Sequence, residues 1–447
     1  STPYPTVAPT PVPSALLQSA DNALYIGDWD TAMDSYQELL QVSDSPELTA
    51  AARLGVARTY QLSGSDYAAA QELNQLLVDF PDSPEAAEAN YYLAKAYTSQ
   101  EQHLEAALAY QNYLQLRPGV LDSYVQDWIG DAYYSAGDYL SAAQEYQRAV
   151  EWDSLLEQGW LELKAARSYA LSGEFQAALD LYDRVYASTQ NETTKSLINL
   201  RKGQIFTSLG QVEEAFSVYQ EAVDQFPTAY DSYTALVALV DAGVPVDELQ
   251  RGIVDYYAGQ YGVALAAFDR YLQNNPADPG TALYYSGLAN RASGNYQVAV
   301  AQWEKLIRDY PDHEVWDKAW EEMAYTQWAY LDQYSLAIEN LLEFVSIAPD
   351  HSRAVEFLFD AASVAEIADR LEQAAELWER VAVFYPGYEK ASRARFLAGI
   401  TYYRLGRLEE ALVNFQMLTT EGRTLEDRAA AFLWLGKTHQ ALGDPSS

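Results

Sequence analysis

The residue types that most often carry out chemistry are few in this sequence and widely separated. The four histidines, His103, His313, His351 and His439, stand at least 38 residues apart. No two can share a helical turn, so the H-E-x-x-H type of zinc pair is absent. There is no cysteine, which excludes a disulfide, a thiolate metal ligand and a thiol nucleophile. Gly436-Lys437-Thr438 has the ending of a phosphate-binding loop, but that loop needs a glycine five residues before its Gly-Lys, and Ala431 stands there. The acidic pairs Glu213-Glu214 and Glu409-Glu410 follow a glycine at the start of a helical pattern. There a carboxylate complements the helix dipole, a simpler role than acid–base catalysis. Asn191-Glu192-Thr193 is a glycosylation sequon too short to carry weight by itself. No catalytic, cofactor or metal site is expected.

Composition narrows the partners. Across 447 residues, 64 acidic side chains face 28 basic ones, a net charge of −36. That surface repels phosphate backbones and anionic membranes, so nucleic acid is not an expected partner. The chain is 49% hydrophobic with a mean hydropathy of −0.26 and holds no apolar run of the ~18 residues that would suggest a membrane span. Residues 1–14 (STPYPTVAPTPVPS) are rich in proline and threonine. Proline fixes φ and lacks a donor, so this stretch reads as a polyproline spacer of roughly 40 Å at ~3.1 Å per residue. A spacer implies a tether upstream, and an upstream lipid anchor is one form it could take.

From residue 15 one unit repeats. An alanine recurs at Ala32, Ala69, Ala106, Ala142, Ala178, Ala215, Ala264, Ala299, Ala337, Ala374 and Ala411. The spacings are 37, 37, 36, 36, 37, 49, 35, 38, 37 and 37. Other columns keep this frame. Twelve residues before the anchor, ten of eleven residues are Gly or Ala, the exception being Tyr325. Five before it, eight are Gly, which suits the left-handed conformation that ends a helix. Four after it stand Tyr36, Leu73, Tyr110, Tyr146, Tyr182, Tyr219, Phe268, Trp303, Leu341, Trp378 and Phe415, placed to fill the gap between neighbouring repeats. Twelve after it, seven are Pro, which stops the second helix. The small residues suggest two antiparallel helices in close approach. The 49-residue step leaves room for an extra helix near 229–242, with a break in the array there.

The pattern Gly130, Tyr133, Gly137-Asp138-Tyr139, Ala142, Tyr146 resembles the tetratricopeptide repeat family over residues 15–447. The expected fold is all-α: an α-solenoid, a right-handed superhelix of about 11.5 helix pairs. Six units span 15–228, an inserted helix and loop 229–249, and five and a half units 250–447. Gly436 and Gly443 place the next anchor at residue 448, so the last repeat is expected to be cut and the natural protein to continue.

The resemblance implies that first helices line a concave groove. The residues it would present are Tyr91, Lys95, Tyr124, Asp127, Tyr134, Trp160, Arg167, Tyr284, Arg291, Phe396, Tyr403 and Arg404. Aromatic and guanidinium groups suit a peptide, a glycan or an acidic segment. They do not reproduce the Lys/Asn clamp with which chaperone-binding members hold a terminal carboxylate. The tail RAAAFLWLGKTHQALGDPSS resembles the repeat region preceding the catalytic domain of bacterial soluble lytic transglycosylases. That resemblance implies a non-catalytic arm of an exported, cell-envelope enzyme acting on murein glycan, its catalytic Glu-Ser lying downstream. The sequence itself contains no Glu-Ser pair. The segments Asp79-Phe80-Pro81-Asp82-Ser83-Pro84 and Asp309-Tyr310-Pro311-Asp312 instead resemble periplasmic tetratricopeptide lipoproteins, which implies a stand-alone adaptor for protein partners.

Overall fold

The structure is a computed structural model that describes residues 12–152, 157–274 and 276–443. Among the described residues all regular structure is helical, in 24 α-helices. Repeats 1 to 6 pair α1 Pro13–Ile26 with α2 Trp29–Val42, α3 Pro46–Leu62 with α4 Asp66–Asp79, α5 Ala86–Ser99 with α6 His103–Leu116, α7 Asp122–Ser135 with α8 Tyr139–Val150, α9 Gln158–Ser172 with α10 Phe175–Ser188, and α11 Glu192–Ser208 with α12 Val212–Gln225. The inserted helix is α13 Tyr230–Asp241. Repeats 7 to 11 pair α14 Glu248–Tyr257 with α15 Tyr261–Gln273, α16 Pro279–Ala292 with α17 Tyr296–Asp309, α18 Trp316–Tyr330 with α19 Tyr334–Ile347, α20 Ala354–Ile367 with α21 Leu371–Phe384, and α22 Ala391–Arg404 with α23 Leu408–Glu421. The helix α24 Leu425–Leu442 follows.

The chain divides into two compact units, Ser1–Val218 and Tyr219–Ser447, the division falling within the α12 residues. Most of the Pro/Thr stretch lies outside the described residues. Its last two residues, Pro13 and Ser14, are already helical, with proline at N1 where its missing amide costs nothing.

Every anchor alanine is fully buried, from Ala32 to Ala411. The side chain four residues later is buried in every repeat, and Tyr36, Phe268, Trp303 and Phe415 have no exposed surface at all. The small residue at −12 has a more specific purpose than close helix approach. A Cβ on Gly130 would fall 2.5 Å from the Tyr146 ring, and one on Gly399 2.6 Å from Phe415. Gly252 and Gly287 would collide in the same way with Phe268 and Trp303. The glycine is therefore the bed of its own repeat's aromatic ring. In repeat 1 the −12 residue is Ala20, and there the Tyr36 ring occupies the Cβ space of Gly55 on the next repeat instead.

The turn inside each repeat is also uniform. Gly137 takes φ +82°, and Asp138, donating its N–H to the Tyr133 carbonyl at 2.9 Å, accepts from the Ser141 amide at 3.2 Å to cap α8. All eight −5 glycines have positive φ. The three repeats without one force Glu101 (φ 59°), Asp332 (φ 54°) and Asp369 (φ 56°) into the same region. Proline closes the repeat: Phe80, Arg117, Tyr310, Ala348 and Tyr385, each preceding one, leave the helical region with φ between −127° and −141°.

Tyr325 breaks the −12 column because repeat 9 is one residue longer. The bond that closes the turn spans six residues there, Gln333 N–H to the Gln327 carbonyl at 2.8 Å. It spans five elsewhere, as from Arg370 to Ala365 at 2.8 Å. The extra residue moves Ala324, 1% exposed, into the −12 place and leaves Tyr325 41% exposed.

Two substitutions test this frame. Asp369→Gly should raise the denaturation midpoint, because a left-handed L-residue costs about 1–2 kcal/mol of which glycine's own entropy returns part. Gly130→Ala should lower it, at a stability cost of about 1–3 kcal/mol, through overpacking against Tyr146. Equal midpoints for Gly130→Ala and wild type, read by circular dichroism, would show that the ring does not need its bed.

Candidate binding groove

The buried rings are covered from the other side by the next repeat. The covering residue stands fourteen before the following anchor. Trp128 lies against Tyr110 (ring centroids 5.6 Å apart), Tyr285 stacks on Phe268 (6.3 Å), and Lys164 sets its ammonium 4.6 Å from the Tyr146 ring. Trp434 on α24 stacks likewise on Phe415 at 6.0 Å. Where this residue is aromatic, the interface is filled. Where it is charged, space remains.

One open space of the first unit lies across α7 to α11. It is a pocket of about 260 Å³ lined by Asp131 and Tyr134 of α7, Tyr146 of α8, Trp160, Leu163, Lys164 and Arg167 of α9, Tyr182 of α10, and Leu197 and Arg201 of α11. A neighbouring hollow of about 230 Å³ shares Arg167, Tyr182 and Arg201. Trp160, Lys164 and Arg167 occur at i, i+4 and i+7, one face of α9. Lys164 is held in place: its Nζ reaches Asp127 Oδ1 and Asp131 Oδ1, each at 2.5 Å, while the Tyr146 hydroxyl donates to Asp131 at 2.7 Å. Burial pushes the Asp127 carboxyl up against the opposing pull of Lys164. Burial and the Asp131 charge push the Tyr146 hydroxyl up, so it stays a donor. The Tyr182 hydroxyl is pushed up to about 12 by burial, against the lowering effect of Arg201 and Arg167. Arg167 lies over Tyr134, Cζ 5.0 Å from the ring centre.

Of the groove residues expected from sequence, the structure thus brings Asp127, Tyr134, Trp160 and Arg167 together. Tyr124 is half-buried on α7 with the first turn of that helix. Tyr91 belongs to a ring cluster with Tyr92, Tyr110, Tyr113 and Trp128 at 5.3–6.3 Å, and Lys95 caps it from 5.7 Å. In the second unit Arg291 is sandwiched between Trp303 (5.4 Å) and Tyr325 (5.5 Å) and bonded to Glu322. It borders a pocket of about 350 Å³ with Glu321, Tyr325, Trp328, Leu341 and Asp360. Tyr284, Phe396 and Tyr403 pack edge-on or tilted against Tyr285, Phe415 and Trp434, and Arg404 pairs with Glu366 at 2.9 Å. Sequence reasoning missed Lys164, Arg201 and the floor tyrosines Tyr146 and Tyr182. The tyrosines were visible as a column but read as filler, and the two cations share a register position that no common residue type marks.

Two of the histidines hold structure. His313 Nε2 meets Asp278 Oδ1 at 2.7 Å, and the His351 ring stands edge-on to Phe344 at 5.3 Å. Glu213 and Glu214 lie in the first turn of α12, and Glu409 and Glu410 in that of α23. Glu410 also accepts from the Arg407 guanidinium, which lowers its carboxyl.

An array of antiparallel helix pairs, most of them bedding one ring, defines an α-solenoid. Tetratricopeptide repeat family profiles match residues 14–43, 59–120, 125–154, 163–230 and 249–314, more than half of the sequence, and the chain belongs to that family. No curated protein sequence matches it. Among solved structures it is similar to MamA at 20% identity, over 39% of this chain and 90% of that one, with a TM-score of 0.33. It is similar to a tetratricopeptide repeat protein from Parabacteroides merdae at 11% identity, over 70% and 98%, with a TM-score of 0.33. A third likeness is to Naa15/Naa10 bound to HypK-THB, at 15% identity over 96% and 73%, with a TM-score of 0.34.

Two measurements check the electrostatics. Lys164→Met leaves Asp127 and Asp131 facing each other without a cation. It should cost about 1–3 kcal/mol and speed amide exchange in α7 and α9; unchanged exchange there would show the pair to be solvated. Burial, then the neighbouring Glu356 and Glu321, push the Asp360 carboxyl up to about 6. The folded state therefore binds this proton more tightly than the unfolded chain between pH ~4 and ~6, and stability contributed by Asp360 falls as pH rises through that window. Asp360→Asn should be more stable than wild type at pH 7 and indistinguishable from it below pH ~4.

Proposed function

We propose that the chain is a non-catalytic scaffold that holds a segment of a partner polypeptide against its first-helix faces. The observation that carries this reading is the joint exposure of Trp160, 58% exposed, with Arg167 at the mouth of the α7–α11 pocket. Tryptophan and arginine beside a desolvated hollow are the side chains that dominate protein–protein affinity. The finer reading is the superhelical arm of a cell-envelope lytic transglycosylase. Its support is the resemblance of the tail and of the Pro/Thr stretch. The second reading, a stand-alone envelope adaptor, is supported by the resemblance of the Asp-Phe-Pro-Asp and Asp-Tyr-Pro-Asp turns. Both put the chain outside the cytoplasm, and in neither does it cut glycan by itself.

A photo-crosslinker placed at Trp160 in the native host should capture a discrete polypeptide. The same probe at Val78, 75% exposed on α4, should not. Adducts with glycan alone, or equal capture at both positions, would overturn the protein-scaffold reading. Incubated with purified murein, the chain should release no soluble muropeptide; release above a buffer control would make it an enzyme.

A further inference from the structure

We infer that the α7–α11 pocket is a recognition site for a carboxylate carried beside a large apolar side chain on a polypeptide, a reading that rests on the scaffold function proposed above and names its ligand chemistry. The charge around the pocket carries the argument. Among the described residues, the ion pairs of α9 and α11 engage Lys164 with Asp127 and Asp131, Glu162 with Arg184, and Lys202 with Asp183. Among the described residues Arg167 and Arg201 have no carboxylate within ion-pair distance: Arg167 rests on the Tyr134 ring, and Arg201 donates to Gln204 Oε1 at 3.0 Å. Two guanidinium groups without counter-ions among the described residues thus line one hollow of a protein whose net charge is −36. Carboxylates outnumber cations more than two to one in the sequence, so bringing one to either arginine would have needed little.

The remaining wall sets the rest of the ligand. Trp160, Leu163 and Leu197 offer apolar surface next to the two arginines, and Tyr182 lies beneath them. About 260 Å³ is below the range of drug-sized ligand sites and suits one or two side chains. The overall negative charge repels a polyanion while the local excess of cations favours a single carboxylate, so an acidic peptide segment fits better than nucleic acid. The planar fork of arginine matches a carboxylate with two parallel hydrogen bonds, and the ring beneath keeps that fork oriented.

The test uses the full chain and three synthetic decapeptides: one alternating glutamate and phenylalanine, one with glutamine for glutamate, and one with lysine for glutamate. Binding is read by Trp fluorescence and calorimetry. The glutamate peptide should bind, more weakly as salt rises. Its affinity should fall about tenfold or more in Arg167→Gln and in Arg201→Gln, the loss expected when a charge-assisted hydrogen bond is removed. Neither variant breaks an ion pair, and unchanged helicity and melting would confirm that the fold is intact. Equal binding of the glutamine peptide, preference for the lysine peptide, or no binding of any of the three would overturn the carboxylate assignment, while crosslinking at residue 160 would still report on the scaffold. Self-association that disappears in Arg167→Gln would overturn it in favour of a second copy of the chain.

Discussion

The structure depends on one contact repeated along it: a buried side chain on each second helix, a ring in nine repeats and Leu73 or Leu341 in the other two, held between its own first helix and the next repeat. Tyr146 shows the full arrangement, lying over Gly130, bonded to Asp131 and covered by Lys164. Phe268 repeats it between Gly252 and Tyr285. Each repeat buries its apolar face only against its neighbours, so the ring is both the centre of a repeat and the joint to the next. The core follows from this. It runs along the chain as successive clusters, Leu16 to Val56, Leu54 to Ala132 and Ala142 to Ile205 in the first unit, and Leu249 to Ala282 and Leu283 to Phe415 in the second. Fully burying one such side chain contributes about 1.5–3 kcal/mol, which makes the joint the dominant local term.

What was legible in the sequence is what chemistry forces to be uniform. A left-handed turn selects glycine, a helix stop selects proline, and a ring bed selects glycine or alanine, so these columns stand out by residue type. Glu101, Asp332 and Asp369 show the limit: the backbone conformation is kept although the residue type is not, because the turn-closing bonds on either side hold it. Tyr325 shows another. One inserted residue after Gln327 shifts the first helix of repeat 9 by one place, and a fixed offset from the anchor then points at the wrong side chain.

The covering position was illegible for a different reason. It holds Gly55, Trp128, Lys164, Tyr285 and Trp434, residues that share no property except the ring they face. A ring face accepts a hydrogen, another ring or a cation with comparable ease, so nothing at this position selects one type. Asp360 holds the same register position and borders the second pocket together with Leu341, where the buried side chain is not a ring. The repeat therefore fixes the frame and leaves one position per joint free to vary, and the pockets form at that position.

This arrangement links binding to the stability of the array. At an aromatic joint, such as Tyr110 with Trp128, the protein fills its own interface. At the joints covered by Lys164 and Arg201 part of that surface stays open as the pocket. A side chain entering there completes an interface between repeats, touching α7, α9 and α11 at once, and by mass action it stabilises the folded joint in proportion to its affinity. Because stability in such an array is a sum of neighbouring terms, the gain is local to repeats 4 to 6 and is felt elsewhere only through the joints that connect them. The same variable position that makes one joint weaker than its neighbours is thus what makes it a place to bind.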